Sequence, residues 1–331
     1  MIYIIDGTGP DNFSDYHADM RRGFCWSLKT QNGPAAEYLR GPTELGLETW
    51  EIAELMYSRV KAHPGAPVVL AGHSRGGAAV IYLARKLQKD GIQVSAMVLF
   101  DAVRRALQKS PTEYGLQILN APSPANLVFN AATAAIEVGL DFFQIGQQKA
   151  DVIPANVERV LHVVRDERFS NYFMQTQEYR ELAGAARAGS GKSLTVPQSV
   201  RLDRLRQWHR RMRDACRFDC IKAGVSTGFS FDNTGMESEP GCKLQIVPYM
   251  ATHGAMGGAP LEVRSYISDA TYAADIEAQE VVAMLQVQTR VNSFLLEVNA
   301  SVCAVQPVQG ARLAYVPATV QAGQSLTAIR K

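Results

Sequence analysis

Residues 67–77 read Pro-Val-Val-Leu-Ala-Gly-His-Ser-Arg-Gly-Gly. The first five of these residues form an apolar run that is typical of a strand buried on both faces of a sheet. The next residues match the pattern G-x-S-x-G, and a helix is predicted over 75–88. This context places Ser74 on a tight turn above the sheet, beside the positive end of the helix. The alternative interpretation is a turn in which the serine only caps the helix.

Apolar strands and helices alternate along the rest of the chain. Further buried strands are predicted at 2–5, 94–100, 157–164 and 243–248, and a short strand at 24–28. Helices are predicted from Thr43, capped by its hydroxyl, to about 60, at 126–143 and at 272–287. Continuous apolar strands alternating with helices predict a mostly parallel sheet covered by helices on both faces. We assign residues 1–331 to one α/β domain, with a cap-like insertion at 170–240 that breaks the alternation.

Polar residues suited to catalysis follow the predicted strands. Ser74, Asp101 and His253 each come just after a strand, and the carboxyl ends of parallel strands meet at one edge of a sheet. A nucleophilic serine needs a base and the base needs an orienting acid, so His253 is the predicted base. Asp101 is the preferred acid. Asp166 is the alternative, although its place in the Arg-Asp-Glu-Arg segment 165–168 also suits an ion pair.

Acyl transfer also requires N–H donors for the oxyanion of the tetrahedral intermediate. The backbone N–H of Arg75, directly after the serine, is one predicted donor. The second is expected from Gly7 or Thr8, in the loop after the first strand. Asp6 is predicted to hold that turn, and His73 is predicted to point away from the nucleophile.

Composition excludes several classes of protein. The net charge of +2, from 34 basic and 32 acidic residues, gives no general attraction to nucleic acid. The five cysteines are scattered without a zinc-site spacing, so we predict reduced thiols, no metal and no cofactor. The chain begins with an apolar strand rather than a signal peptide, and no apolar run reaches about 18 residues. We therefore expect a protein made in the cytosol without a membrane-spanning helix, any export following a leaderless route.

Five short motifs occur in a characteristic order: Asp-Gly-Thr at 6–8, Gly-His-Ser-Arg-Gly-Gly at 72–77, Phe-Asp-x-Val at 100–103, Asp-Glu-Arg at 166–168, and His-x-x-x-Gly-Gly at 253–258. Together they resemble the α/β-hydrolase family that includes the type VI secretion lipase effectors. The resemblance implies an α/β-hydrolase fold, a Ser-Asp-His triad and phospholipase activity, with a secretion-apparatus component or an immunity protein as partner. The chain departs from the family at His73, where a bulky apolar residue is usual, and at Gly9 and Pro10, where an aromatic residue and Asn are usual.

The insertion contains a basic amphipathic segment at 201–217, with seven Arg residues. Its apolar side chains recur at helical spacing: Leu202, Leu205, Trp208, Met212 and Cys216. This pattern predicts either peripheral contact with anionic lipid or a cap helix with a solvated basic face.

These observations predict a serine hydrolase that cleaves carboxylic esters of lipids, as a lipase or phospholipase. One alternative within the enzymes is a soluble small-ester or thioester hydrolase. The alternative outside the enzymes is a catalytically degenerate hydrolase fold that serves as a binding module.

Overall fold

The computed structural model describes residues 1–9, 12–43, 48–106, 151–187, 194–217, 230–260, 263–265 and 267–298. The strands in these ranges are β1 (Ile2–Ile5), β2 (Ala36–Leu39), β3 (Val68–His73), β4 (Val94–Phe100), β5 (Val103–Ala106), β6 (Val152–Ile153), β7 (Arg159–Arg165), β8 (Ser230–Asn233), β9 (Glu237–Ser238) and β10 (Lys243–Tyr249). The helices are α1 (Phe13–Met20), α2 (Phe24–Asn32), α3 (Thr49–Lys61), α4 (Arg75–Lys89), α5 (Tyr172–Gln175), α6 (Gln177–Arg187), α7 (Val196–Arg217), α8 (His253–Met256) and α9 (Ala270–Glu297).

Six parallel strands form the central sheet in the order β10-β7-β4-β3-β1-β2. The chain runs from β1 outward to β2 and then returns to β3 on the other side of β1. The strand order therefore reverses around β1, and sites in such sheets lie outside the carboxyl ends of the strands at this reversal. The parallel sheet with helices around it confirms the predicted α/β-hydrolase fold.

Alternating side chains of the strands divide the core between the two faces of the sheet. Ile2 and Ile4 pack on the face that α2 and α9 cover. Tyr3 and Ile5 pack on the opposite face, against α3 and α4. Because both faces are buried, the central strands are continuously apolar, which is the pattern that predicted them.

The prediction of a strand at 24–28 is wrong, because these residues begin helix α2. Phe24, Cys25 and Leu28 are all buried on one side of this helix, which is the spacing of a helix rather than the alternation of a strand. The prediction also missed β2, one of the two edge strands of the central sheet, whose residues are only half-buried and carry no continuous apolar run.

Two helices have boundaries that differ from the predicted ones. Helix α3 begins at Thr49, and Thr43 does not cap it; the Thr43 N–H instead donates to the Glu48 carboxylate at 2.7 Å. Helix α9 runs from Ala270 to Glu297, longer than predicted at both ends, and the Asp269 carboxylate caps its start. The helix predicted at 126–143 lies outside the described residues.

A third apolar cluster lies apart from the sheet. It joins the helices of the insertion to the start of α9, and it consists of Phe169, Phe173, Leu205, Trp208, Met212, Val263, Ile267, Ala273 and Ile276. Arg201 pairs with Glu178 and Asp269 beside this cluster. The apolar side of α7 therefore packs against protein. None of the helices in the described ranges has the length and apolar character needed to cross a bilayer.

Candidate active site

Ser74 occupies a strained turn between β3 and α4. Its backbone has φ 55° and ψ −129°, a conformation that L-residues rarely adopt, and its side chain does not cap the helix. The Ser74 N–H donates to the Phe100 carbonyl at 3.0 Å, and its own carbonyl accepts from Gly77 and Val103. A Cβ on Gly76 would lie 2.2 Å from the Asp6 carbonyl oxygen, so only glycine fits beneath the turn. This geometry is that of a nucleophile elbow.

Asp101 and His253 meet at the same edge of the sheet. The Nδ1 atom of His253 lies 2.6 Å from Oδ2 of Asp101, and both residues are buried. Asp101 also has a positive φ, 45°, which turns its carboxylate out of the line of β4. Because an ionised carboxylate only accepts, we assign the proton to Nδ1, which leaves Nε2 with the lone pair that a base requires.

Asp101 has two further partners that the sequence did not identify. Nη1 of Arg165, at the end of β7, lies 2.5 Å from Oδ2. Nδ2 of Asn233, at the end of β8, donates to Oδ1 at 2.6 Å. Burial alone would raise the pKa of Asp101, but Arg165, His253 and Asn233 outweigh it and hold this pKa well below its usual range. The carboxylate is thus kept ionised.

Asp166, the alternative acid, is engaged elsewhere. Its carboxylate accepts from the Arg168 backbone N–H at 2.9 Å and forms an ion pair with the Arg168 guanidinium. This is the ion pair that the Arg-Asp-Glu-Arg segment suggested. The geometry therefore favours Asp101 as the partner of His253.

A buried histidine, His162, forms a hydrogen bond with the backbone directly after Asp101. His162 in β7 is fully buried; its Nε2 accepts from the Ala102 N–H at 3.0 Å, and its Nδ1 lies 3.3 Å from the Gly235 carbonyl. These two bonds require a neutral ring with the proton on Nδ1. Burial lowers the pKa of His162 to about 4, in agreement with the neutral form.

The His253 turn is anchored by a carboxylate from α9. Glu280 is fully buried and accepts from the Thr252 N–H at 2.6 Å and from the Thr252 hydroxyl at 2.7 Å. Thr252 immediately precedes His253, so this pair fixes where α8 begins. Neither residue stood out in the sequence, because a carboxylate in a helix is ordinarily solvent-exposed.

The three residues predicted to stabilise an oxyanion have different surroundings in the structure. The Gly7 N–H donates to the carboxylate of its neighbour Asp6 at 2.8 Å, so this N–H is engaged and Thr8 is favoured over Gly7 as the oxyanion donor. The same hydrogen bond confirms the prediction that Asp6 holds the turn. Thr8 follows in the same loop, and Arg75 is the first residue of α4, at the N-terminal end of the helix.

Among the described residues, no group of three His, Cys, Asp or Glu side chains could hold a metal ion.

His73 lies against His253, a contact that the sequence did not predict. Its ring stacks on His253, with centroids 4.9 Å apart and planes inclined by 26°. Cβ of Ser74 in turn lies beside the loop of Gly7. The Ser74 turn, the loop after β1 and the His253 turn are thus packed together.

No protein-family model and no curated protein matches the sequence. Among solved structures, the chain is similar to the NocB thioesterase domain from the nocardicin cluster (16% identity, TM-score 0.29), covering 86% of this chain and 93% of that one. It is also similar to the RedJ thioesterase from the prodiginine pathway of Streptomyces coelicolor (13%, 0.27, covering 84% and 86%). A cutinase-like protein from Cryptococcus sp. matches at 15% and 0.22, covering 30% and 51%. Similarity this low gives no information on substrate or on the roles of individual residues.

Proposed function

We propose that this protein is a serine hydrolase that cleaves carboxylic esters or thioesters through Ser74, His253 and Asp101. The observation that carries the proposal is the buried hydrogen bond between His253 Nδ1 and Asp101 Oδ2, 2.6 Å long, at the sheet edge where Ser74 occupies its strained turn. A base oriented by an acid beside an activated serine is the arrangement that acyl transfer uses on unrelated folds.

In the first half of the reaction, Ser74 Oγ attacks the substrate carbonyl carbon while Nε2 of His253 accepts the hydroxyl proton. The tetrahedral intermediate collapses, the bond to the leaving group breaks, and the imidazolium returns the proton to the departing alcohol or thiol. In the second half, water attacks the acyl carbonyl carbon while His253 accepts one of its protons. The acyl–Ser74 bond then breaks, the imidazolium returns that proton to Ser74 Oγ, and the carboxylic acid is released. Asp101 stabilises the imidazolium in both halves and stays ionised.

The oxyanion needs donors that are already in place. We assign one to the Arg75 N–H at the start of α4, where the helix dipole adds to the stabilisation. We assign the other to the Thr8 N–H, since the Gly7 N–H is bonded to Asp6. Each such donor contributes roughly 10²–10³ in rate.

The leaving group defines two versions of the proposal. The motif resemblance supports a lipid ester and thus a lipase or phospholipase. The thioester alternative corresponds to the activity of two of the solved structures above, the NocB and RedJ thioesterases. The triad chemistry is the same in both, because His253 can return a proton to oxygen or to sulfur.

A substrate panel separates the two versions. Purified protein is given a soluble p-nitrophenyl ester, an acyl-coenzyme A thioester and phospholipid vesicles, with Ser74→Ala as the matched control for each. Turnover that Ser74→Ala abolishes supports the proposal, and the ratio of kcat/KM values assigns the leaving group. A protein that turns over none of the three and does not react with a fluorophosphonate would be a binding module instead.

Contact with a membrane is expected only if the substrate is a lipid ester. The apolar side of α7 is buried, with Leu205 and Trp208 packed in the third cluster. Arg204 and Arg210 are exposed on the same helix. We therefore propose that any peripheral contact of 201–217 with anionic lipid is electrostatic, through these Arg side chains, and not by insertion of the helix.

A further inference from the structure

His73 occupies a position between three segments of the candidate site. It ends β3, immediately before Ser74, and its side chain is only 12% exposed. One face of its ring stacks on His253 at 4.9 Å between centroids. Neutral and charged imidazoles both pack favourably against another ring in this near-parallel geometry. The base of the proposed triad is therefore packed against a second imidazole.

Two glycines make room for the His73 ring. A Cβ on Gly7 would lie 2.5 Å from His73 Nδ1, and a Cβ on Gly257 would lie 2.4 Å from His73 Nε2. Both distances are far below van der Waals contact, so the backbones of the two loops lie directly against the ring, and both also approach its Cε1 atom. Gly7 belongs to the loop that carries Thr8, and Gly257 follows α8, which His253 begins. The His73 side chain thus lies between the Gly7–Thr8 loop and the turn that contains His253.

A buried carboxylate lies at the Nδ1 end of this ring. Oδ1 of Asp6 is 3.9 Å from His73 Nδ1. Asp6 is itself held by the Gly7 N–H and the Tyr38 hydroxyl, each at 2.8 Å, and by the Cys25 thiol. Burial raises the pKa of Asp6 to about 6, against these hydrogen bonds. At 3.9 Å the contact between Asp6 and His73 is longer than a hydrogen bond, so Asp6 acts on His73 by electrostatic attraction and through the Gly7 loop that it holds.

We propose that His73 is a positioning residue: its ring fixes the plane of the His253 imidazole and the spacing of the Gly7–Thr8 loop, and Asp6 orients His73. The inference rests on the proposed function, because it assumes that His253 is the base. In acylation, Nε2 of His253 must lie within hydrogen-bond reach of Ser74 Oγ, and a displacement of about 1 Å costs up to about 10²-fold in rate. Without the ring, His253 loses the surface that prevents this displacement.

The test compares His73→Ala with His73→Phe in the full chain. The measurements are the rate constant of inactivation by a fluorophosphonate and the kcat and KM for a soluble ester. We expect His73→Ala to lower the inactivation rate and kcat by about 10–100-fold, with KM within about threefold of wild type. His73→Phe restores a flat ring without nitrogen atoms and should recover most of that loss. Asp6→Asn should lower kcat less than His73→Ala.

Two controls separate positioning from general destabilisation. His63→Ala makes the same chemical change at an exposed histidine after α3, and Val60→Ala removes buried methyl groups from α3 in the opposite core cluster. Both should keep the wild-type kcat, even where Val60→Ala lowers Tm as much as His73→Ala does. The inference is overturned if His73→Ala reacts at the wild-type rate, if His73→Phe is no better than His73→Ala, or if Val60→Ala loses as much kcat. A wild type that fails to react with the fluorophosphonate would overturn the proposed function itself.

Discussion

Nδ1 of His253 lies 2.6 Å from Oδ2 of Asp101, although 152 residues separate the two in sequence. The parallel sheet produces this contact, because β4 and β10 deliver their carboxyl ends to one edge on either side of β7. Arg165, at the end of β7 between them, lies 2.5 Å from the same carboxylate oxygen. Asp101 is therefore held by residues that follow β10 and end β7.

This arrangement predicts unequal roles for the two aspartates. Asp101→Asn should lower kcat for a soluble ester by about 10²–10⁴-fold, because an amide no longer fixes the Nδ1–H tautomer or stabilises the imidazolium. Asp166→Asn is the matched control and should stay within about threefold of wild type, since it removes only an ion pair with the largely exposed Arg168. A larger loss for Asp166→Asn than for Asp101→Asn would exchange the assignments of the two acids.

The buried carboxylates Asp6 and Asp101 should affect stability with opposite signs of pH dependence. The lowered pKa of Asp101 means that its contribution is present above the unfolded-state pKa near 3.9 and is lost as pH falls. The pKa of Asp6 is raised from 3.8 to about 6, so the folded state binds the extra proton between these values. The free energy of unfolding therefore falls by up to about 3 kcal/mol from this group as pH rises from 4 to above 6.

Asp6→Asn tests that sign. Asn keeps an acceptor for the Gly7 N–H but cannot ionise, so the fall in unfolding free energy between pH 4 and 7 should be smaller in the variant. The measurement is urea unfolding at several pH values, at constant ionic strength. An unchanged pH dependence would mean that Asp6 does not titrate in this range.

Glu280 should support the His253 turn through Thr252. Glu280→Gln replaces an acceptor by an amide that cannot accept from both Thr252 groups, and we expect a loss of about 1–3 kcal/mol in unfolding free energy. Because Thr252 precedes His253, kcat should fall as well. Thr252→Ser keeps the hydroxyl and should retain both stability and kcat, whereas Thr252→Val should behave like Glu280→Gln. Equal stability and kcat of Thr252→Ser and Thr252→Val would show that the Thr252 hydroxyl does not contribute to either.

The exposed Arg side chains of α7 allow the lipid version of the function to be tested. Replacing Arg204 and Arg210 with Gln should weaken binding to anionic vesicles by about 1 kcal/mol per charge, while turnover of a soluble ester stays unchanged. Arg22→Gln is the matched control, an exposed charge on another segment. Equal loss on vesicles and soluble ester would indicate a structural role, and no loss on either would remove α7 from lipid contact.

Strands β1, β3, β4 and β7 were predictable from sequence, because they are buried on both faces and rich in apolar residues. Ser74 and Asp101 were predictable from their places at the ends of two of these strands. Strand β10, which precedes His253, is a partly exposed edge strand and was predicted from its few apolar residues. The half-buried edge strand β2 carries no such run, and α2 was mistaken for a strand because its apolar residues are few. The contacts of Arg165, Asn233 and Glu280 depend on tertiary structure. Asn233 reaches Asp101 because β8 pairs with β5 in an antiparallel arrangement. Short polar strands give no sequence pattern from which this pairing could be predicted. His73 was missed because alternation places it away from Ser74, while the fold places His253 against it.

The assignment of Ser74 as the nucleophile can be tested by locating a fluorophosphonate label with peptide mass spectrometry. We expect a single adduct, on the peptide that contains Ser74. The Ser74→Ala variant should show no adduct and should lose at least about 10³-fold in kcat, with Tm close to wild type. Asp101→Asn should be labelled at the same residue but more slowly. An adduct on a different serine, or equal labelling and turnover of Ser74→Ala, would contradict the account.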